Sequence, residues 1–526
     1  VFYRASLQAS AALASLSLLA GCGLLSDNSS ETDQHIAVGT TSSPSTLDPA
    51  AAWDGSWELM RNVFQTLVSF PTGSTSPEPD AAESCRFTDA TSMAYRCTLR
   101  SGLKFSNGEK IDAEAVKYSI DRIVKLKVKG GPAGLLGSLD RVETKGDDTV
   151  VFHLRKADAT FPFILATPAM SLVPPGEYPA DRLRDDGKVT GSGPYVLKAY
   201  EPGSKAELAK NPDYKGFAHR KNTSVTIRYF DGSAPMVAAL KKKEIDATYR
   251  GLTAEEVVSL EDNKSDNEGL QVIETVGADI RFLVFNPADP ASGKLAVRRA
   301  IAQLVNRDEL VAKVYQGTAE PLYSMVPKGI AGHTTSFFDS FGDPDTGKAR
   351  QILSSAGIDE PVEMTFWFTT DRYGSSTAPE FAELKRQLEA SGLFKITLKS
   401  APWKTFQEGF TKGDYPVFGR GWFPDFPDPD NFIAPFVGKD SVTGTPYVTK
   451  EITQDLLPSS RQESDRGAVA KQFRRAQEIL VDDVRLLPLW QGKLYVAAGE
   501  DIGGSERALD PQTVMQMWEL YRKASW

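Results

Sequence analysis

Between residues 360 and 400 the chain reads strand, helix, strand, and that order dictates how the layers of the fold must stack. Met364 to Phe368 reads as a strand. Thr377 and Pro379 open a helix with Phe381, Leu384 and Leu388 on one face and Gly392 just past its end, and Lys395 to Lys399 follows as a second strand. A βαβ order of this kind implies a sheet covered by helices. The interleaving recurs elsewhere. Asp112 can cap a helix in which Val116, Ile120, Ile123 and Val124 repeat at helical spacing, and Thr149 to Leu154 alternates like a half-buried strand. Val297, Ile301, Leu304 and Val305 mark another amphipathic helix, and Asn306 with Glu309 resembles a capping box that starts the next one. The fold class is α/β, with mixed sheets.

At 526 residues the chain exceeds what a single core usually supports, so two or three domains are expected. No internal repeat is visible. A formal net charge of −9 disfavours a nucleic-acid partner, and the one tight basic run, Lys241 to Lys243, reads as a solvated helix end.

The N-terminus carries an export signal. Arg4 precedes a small, apolar stretch from Ala9 to Ala20, closed by Leu19-Ala20-Gly21-Cys22. That stretch is too short for a stable membrane span and fits a signal peptide over 1–21, cleaved so that Cys22 is lipidated. The polar tail from Ser26 to Gln34 suits a tether, giving an anchored linker over 22–35. Lipidating Cys22 leaves Cys85 and Cys97, close in sequence and in a compartment that permits oxidation, and a disulfide between them is expected to add about 3 kcal/mol. Two cysteines without nearby histidines complete no zinc site, and His35, His153, His219 and His333 are scattered singly. No metal and no cofactor are expected.

Catalytic patterns mostly fail. Gly191-Ser192-Gly193 lacks the third glycine of a dinucleotide loop, and Thr190 and Pro194 stand where a nucleophile elbow needs glycines. Asp425, Asp428 and Asp430 raise two possibilities, paired hydrolytic carboxylates or a calcium loop; the calcium pattern's central glycine and terminal glutamate are missing. The segment Gly421-Trp422-Phe423-Pro424-Asp425-Phe426-Pro427-Asp428-Pro429-Asp430-Asn431-Phe432 alternates aromatics and carboxylates on a proline-stiffened backbone. It suits recognition of an ammonium between apolar walls, the bland alternative being a hydrophobic loop that plugs a domain end.

Taken in order, the motifs resemble those of the peptide, nickel and oligopeptide-binding proteins of ATP-driven importers (family 5) along nearly the whole mature chain. They are Ser45-Thr46-Leu47-Asp48-Pro49, the run from Leu99 to Val116, Gly191-Ser192-Gly193-Pro194-Tyr195 with Asn211-Pro212-Asp213-Tyr214, Phe285-Asn286, Val297-Arg298-Arg299-Ala300-Ile301 with Asn306-Arg307, and Gly421-Trp422 with Asp425 and Pro427-Asp428-Pro429. The resemblance implies a periplasmic-binding-protein-like class II (Venus-flytrap) fold with an additional inserted domain. Domain I would comprise 36–72, 189–276 and 490–526, the inserted domain II 73–188, and domain III, the lobe that closes on the ligand, 277–489. It further implies a non-enzymatic, monomeric lipoprotein on the extracytoplasmic face of the membrane, periplasmic where there are two membranes, that captures short peptides and delivers them to permease subunits. In the family's peptide binders an aspartate at the position of Asp425, beside the indole of Trp422, meets the peptide N-terminus. Arg372, in Phe368-Thr369-Thr370-Asp371-Arg372-Tyr373, sits where dipeptide binders place the arginine for the ligand carboxylate. A sugar, opine or metal chelate on the same scaffold, or a secreted hydrolase using Asp425 and Asp428, are the competing expectations.

Overall fold

The computed structural model describes residues 34–524 except 54, 263–266, 446 and 448, and except the side chain of Asp262. The expected signal peptide, the lipidation at Cys22 and the tether up to residue 33 lie outside the described residues.

A sheet of 11 strands runs through the molecule, and its spine is a pair of long antiparallel strands, Leu270–Phe285 and Leu486–Gly499. Register shifts between Val276 and Ile280 and between Arg281 and Phe282 interrupt this pairing. Bulges of this kind bend strands, and the first separates the stretch that pairs toward Ala247–Thr248 and His35–Thr40, the first lobe, from the stretch that pairs with Val417–Trp422, the second lobe. On one side lie Ala247–Thr248, then His35–Thr40 and Ser224–Tyr229 in parallel pairing, then Lys205–Lys210 and Tyr195–Glu201. On the other lie Val417–Trp422, Val362–Thr369 and Phe394–Ala401. The last two strands pair in parallel, Val362 against Phe394, and helix Thr377–Ala390 makes the crossover, as the βαβ reading requires.

Apolar side chains gather on both sides of this spine. One core joins the His35–Thr40 half to a separate four-stranded sheet of Ala82–Phe87, Ala94–Leu99, Thr149–Leu154 and Leu139–Lys145. Two more cores flank the Val362–Trp422 half, one on each face of the sheet. Cys85 and Cys97 are a register pair of neighbouring strands and are joined by a disulfide. No helix among the described residues is long and apolar enough to cross a membrane.

Local signals hold where they depend on local chemistry. The Asp112 side chain accepts the Ala115 N–H at 3.0 Å and starts helix Ala113–Leu126. Asn306 accepts the Glu309 N–H at 2.9 Å, but the other half of the expected capping box differs. The Asn306 N–H donates to Gln387 at 2.8 Å, because Glu309 pairs with Lys313 and Arg386 instead. Gly191 and Gly193 explain their motif by close approach: a Cβ at Gly191 would lie 2.1 Å from the Val63 carbonyl oxygen, and one at Gly193 2.6 Å from the Val63 carbonyl carbon. Only glycine lets the two backbones meet there.

Candidate functional site

The proline-bounded loop that follows strand Val417–Trp422 is where the lobes meet. Asp428 is 1% exposed and caps the short turn Pro429–Phe432, accepting the Asp430 N–H at 2.9 Å. Its carboxylate is gripped by Arg466 at 2.7 and 2.9 Å, and Asp430 is gripped the same way by Arg461 at 2.8 Å on both oxygens. Bidentate pairs of this sort are geometrically specific and rigid. Burial pushes the Asp428 carboxyl up and the Arg466 guanidinium opposes the shift. Asp428 therefore acts as an internal brace, its carboxylate occupied by Arg466.

Asp425 is placed differently. It lies on the wall of a cavity of about 190 Å³, with Trp53, Trp57 and Arg250 contributed by the first lobe and Arg372, Phe423 and Asp425 by the second. The Asp425 N–H donates to the Asn431 side-chain oxygen at 2.9 Å, and the Asn431 amide nitrogen donates back to the Asp425 carboxylate at 2.9 Å. Across the lobes, Gln512 donates to the Asp425 carbonyl at 2.5 Å and accepts from Arg61 at 2.6 Å; Arg61 is ion-paired with Asp510. Phe426, next in sequence, is buried in the first lobe's core, 6.2 Å from the Phe163 ring. One end of the loop is thus braced in its own lobe and the other is docked on the opposite lobe.

Of the residues singled out from sequence, Asp425 and Arg372 face the same cavity. The Arg372 guanidinium lies 5.4 Å from the Trp403 ring centre, an arrangement that favours a cation over a π face. Trp422 stands behind the wall. Its ring packs edge-on against Phe436, with centres 5.1 Å apart, and its indole N–H donates to Asn431 at 3.1 Å.

Four features of the site were not read from the sequence. The Trp53 and Trp57 rings pack tilted against each other, centres 5.4 Å apart, and Gln512 lines the cavity from the C-terminal segment. Arg250 lines the wall with φ of +59°, an uncommon backbone state for a residue with a side chain. It is held by Glu58 at 2.7 Å and by the Thr513 carbonyl and hydroxyl at 3.1 and 2.8 Å. Glu58 lies within the buried helix Ser56–Val63, and an acid among apolar neighbours was the only available hint.

Burial pushes Glu58 up to about 7, with the Arg250 charge opposing the shift only in part. Unfolded, the same group titrates near 4.5, so between 4.5 and 7 the folded state holds more protons than the unfolded state. Glu58 therefore makes stability fall as pH rises through that window. Glu58→Gln is expected to flatten the fall by up to about 3 kcal/mol in urea unfolding. Identical pH profiles for variant and parent would contradict this assignment.

Residues 76–444 match the family model for bacterial extracellular solute-binding proteins, family 5 Middle. A probable D,D-dipeptide-binding periplasmic protein, DdpA, of Escherichia coli K12 is 26% identical over 485 residues, covering 89% of this chain and 90% of the relative. Di/tripeptide-binding protein 1 of Pseudomonas aeruginosa is 25% identical over 481 residues, covering 86% and 88%. Among solved structures, the periplasmic binding protein DppA of Helicobacter pylori, in complex with the peptide STSA, superposes with a TM-score of 0.75 at 23% identity, covering 93% of this chain and 98% of the other.

Proposed function

Because the chain belongs to the bacterial extracellular solute-binding proteins of family 5, we propose that it captures short peptides outside the membrane and delivers them to the permease of an ATP-driven importer. The observation that carries this reading is the joint presence of the Asp425 carboxylate and the Arg372 guanidinium on one interlobe cavity with aromatic walls. A peptide is a zwitterion with an ammonium at one end and a carboxylate at the other. Asp425 meets the ammonium by charge-assisted hydrogen bonding, strengthened where water is excluded, and Arg372 meets the carboxylate. Trp53, Trp57 and Phe423 supply apolar surface for side chains.

The chemistry is binding without turnover. Ligand enters between the lobes, the lobes close, and the closed shape is what the permease reads. In this reading domain I is 36–72 with 189–276 and 490–526, domain II is 73–188 and domain III is 277–489. The protein is a monomer held to the extracytoplasmic face through lipidated Cys22. A second reading, a sugar or chelate on the same scaffold, draws on the Trp53 and Trp57 rings, which can stack on a sugar face.

One experiment separates the two. The protein beginning at Cys22 is purified and unfolded, released small molecules are identified by mass spectrometry, and the emptied protein is titrated calorimetrically with di- and tripeptides. Saturable heat from peptides is expected. A released sugar or chelate, with no heat from any peptide, would replace the first reading by the second.

A further inference from the structure

We infer that Asn431 is the positioning residue for the Asp425 carboxylate, and that Trp422 acts through it by fixing which way the Asn431 amide points. The inference rests on the reading of Asp425 as the partner of a ligand ammonium.

Asn431 is 4% exposed, within the turn Pro429–Phe432. Two N–H donors converge on one end of its side chain, the Trp422 indole at 3.1 Å and the Asp425 backbone at 2.9 Å. An atom that receives two N–H bonds must be the amide oxygen, because the nitrogen of a side-chain amide offers only donors. That fixes the other end. The amide nitrogen then faces the Asp425 carboxylate at 2.9 Å, and turning the amide over would set its NH₂ against two donors and its oxygen against an anion.

The turn carrying Asn431 is itself immobilised. Arg466 grips Asp428 and Arg461 grips Asp430, so the residues before Asn431 are tied to the 461–466 segment by two bidentate ion pairs. The Asp425 carboxylate is consequently oriented before any ligand arrives, and the ligand is spared the cost of ordering it. A hydrogen bond donated to the ionised form also favours that form, so Asn431 keeps Asp425 charged to lower pH than it would otherwise be.

That electrostatic consequence separates positioning from mere loop support. The test uses the ligand-free protein with carbon-13 in aspartate carboxyls, the Asp425 signal being assigned by its loss in Asp425→Asn, together with calorimetry using dialanine as probe. Asn431→Leu, similar in size but without donors or acceptors, is expected to raise the Asp425 titration midpoint by about one pH unit. Dialanine affinity should fall tenfold or more, with the acid limb of binding moving up alongside the midpoint. Trp422→Phe keeps a ring against Phe436 and removes only the indole donor; a two- to fivefold loss of affinity is expected. Should Asn431→Leu fail to fold, Asn431→Asp places a second carboxylate against Asp425, and the pair must then titrate in two steps at least a unit apart. An unmoved Asp425 midpoint in Asn431→Leu, or a single unshifted step in Asn431→Asp, overturns the inference. Absence of dialanine binding by the parent protein would instead strike the peptide reading, while the carboxyl titration still decides whether Asn431 governs Asp425.

Discussion

Asp425→Asn is expected to weaken dialanine binding by about 30- to 5,000-fold while leaving the unfolding midpoint within experimental error of the parent. The affinity loss follows from what remains after substitution. A ligand ammonium brought into the closed cavity would lie against a neutral amide, and removing one partner of a hydrogen-bonded charge pair costs about 2–5 kcal/mol, which is that range of fold-change. The fold is expected to survive because the backbone bonds of Asp425 do not depend on its charge. Its N–H donates to Asn431 and its carbonyl accepts from Gln512, and both bonds are available to asparagine. An amide can also turn its oxygen toward the Asn431 nitrogen, keeping that contact. Calorimetry with dialanine, alongside urea unfolding, reads both halves of the expectation. Affinity within threefold of the parent would show that the ammonium is held elsewhere.

The second large effect is on stability and involves two residues that do not line the cavity. Arg122→Met is expected to destabilise the protein by about 3–5 kcal/mol. Asp48 is fully buried and Arg122 is 3% exposed, and they form a bidentate pair at 2.8 and 2.6 Å. Asp48 also accepts the Ala50 N–H at 3.0 Å and the Arg184 N–H at 2.8 Å, while Arg122 donates to the Pro179 and Arg182 carbonyls at 2.7 and 2.9 Å. The pair thereby ties the segment after the first strand to helix Ala113–Leu126 and to the stretch 179–184. Methionine fills much of the arginine's volume but leaves the carboxylate buried without its counter-charge, and that uncompensated charge dominates the cost. The double variant Asp48→Asn, Arg122→Met removes both charges and is expected to lose less than the single one. Urea unfolding followed by tryptophan fluorescence measures both. A single variant within 1 kcal/mol of the parent, or a double variant worse than the single, would contradict the account.

These two residues also show how unevenly the sequence discloses its content. Asp48 stands in the run Ser45-Thr46-Leu47-Asp48-Pro49, which marked a family resemblance without any stated job; the fold supplies the job through an arginine 74 positions away. Asp425, Asp428 and Asp430 looked alike as acids on one stiff loop. Spacing could not tell them apart, because what separates them is Arg461 and Arg466, contributed by a later segment that packs beneath the loop. The cavity's other wall was less legible still. Trp53, Trp57, Arg250 and Gln512 come from three separated stretches, and no local pattern brings them together.

By itself the sequence determined whatever depends on neighbours within a few residues. Helical and strand periodicity, the Asp112 cap, the βαβ order around residue 380 and the stiffness of a proline-bounded loop all arise from steric and hydrogen-bonding rules that act over one or two turns of chain. The tertiary structure alone decided which of three carboxylates faces the cavity, which cations stand opposite it and why Trp422 supports the wall instead of lining it. Those outcomes depend on desolvation and on charge partners, and both are set only when distant segments pack together and exclude water.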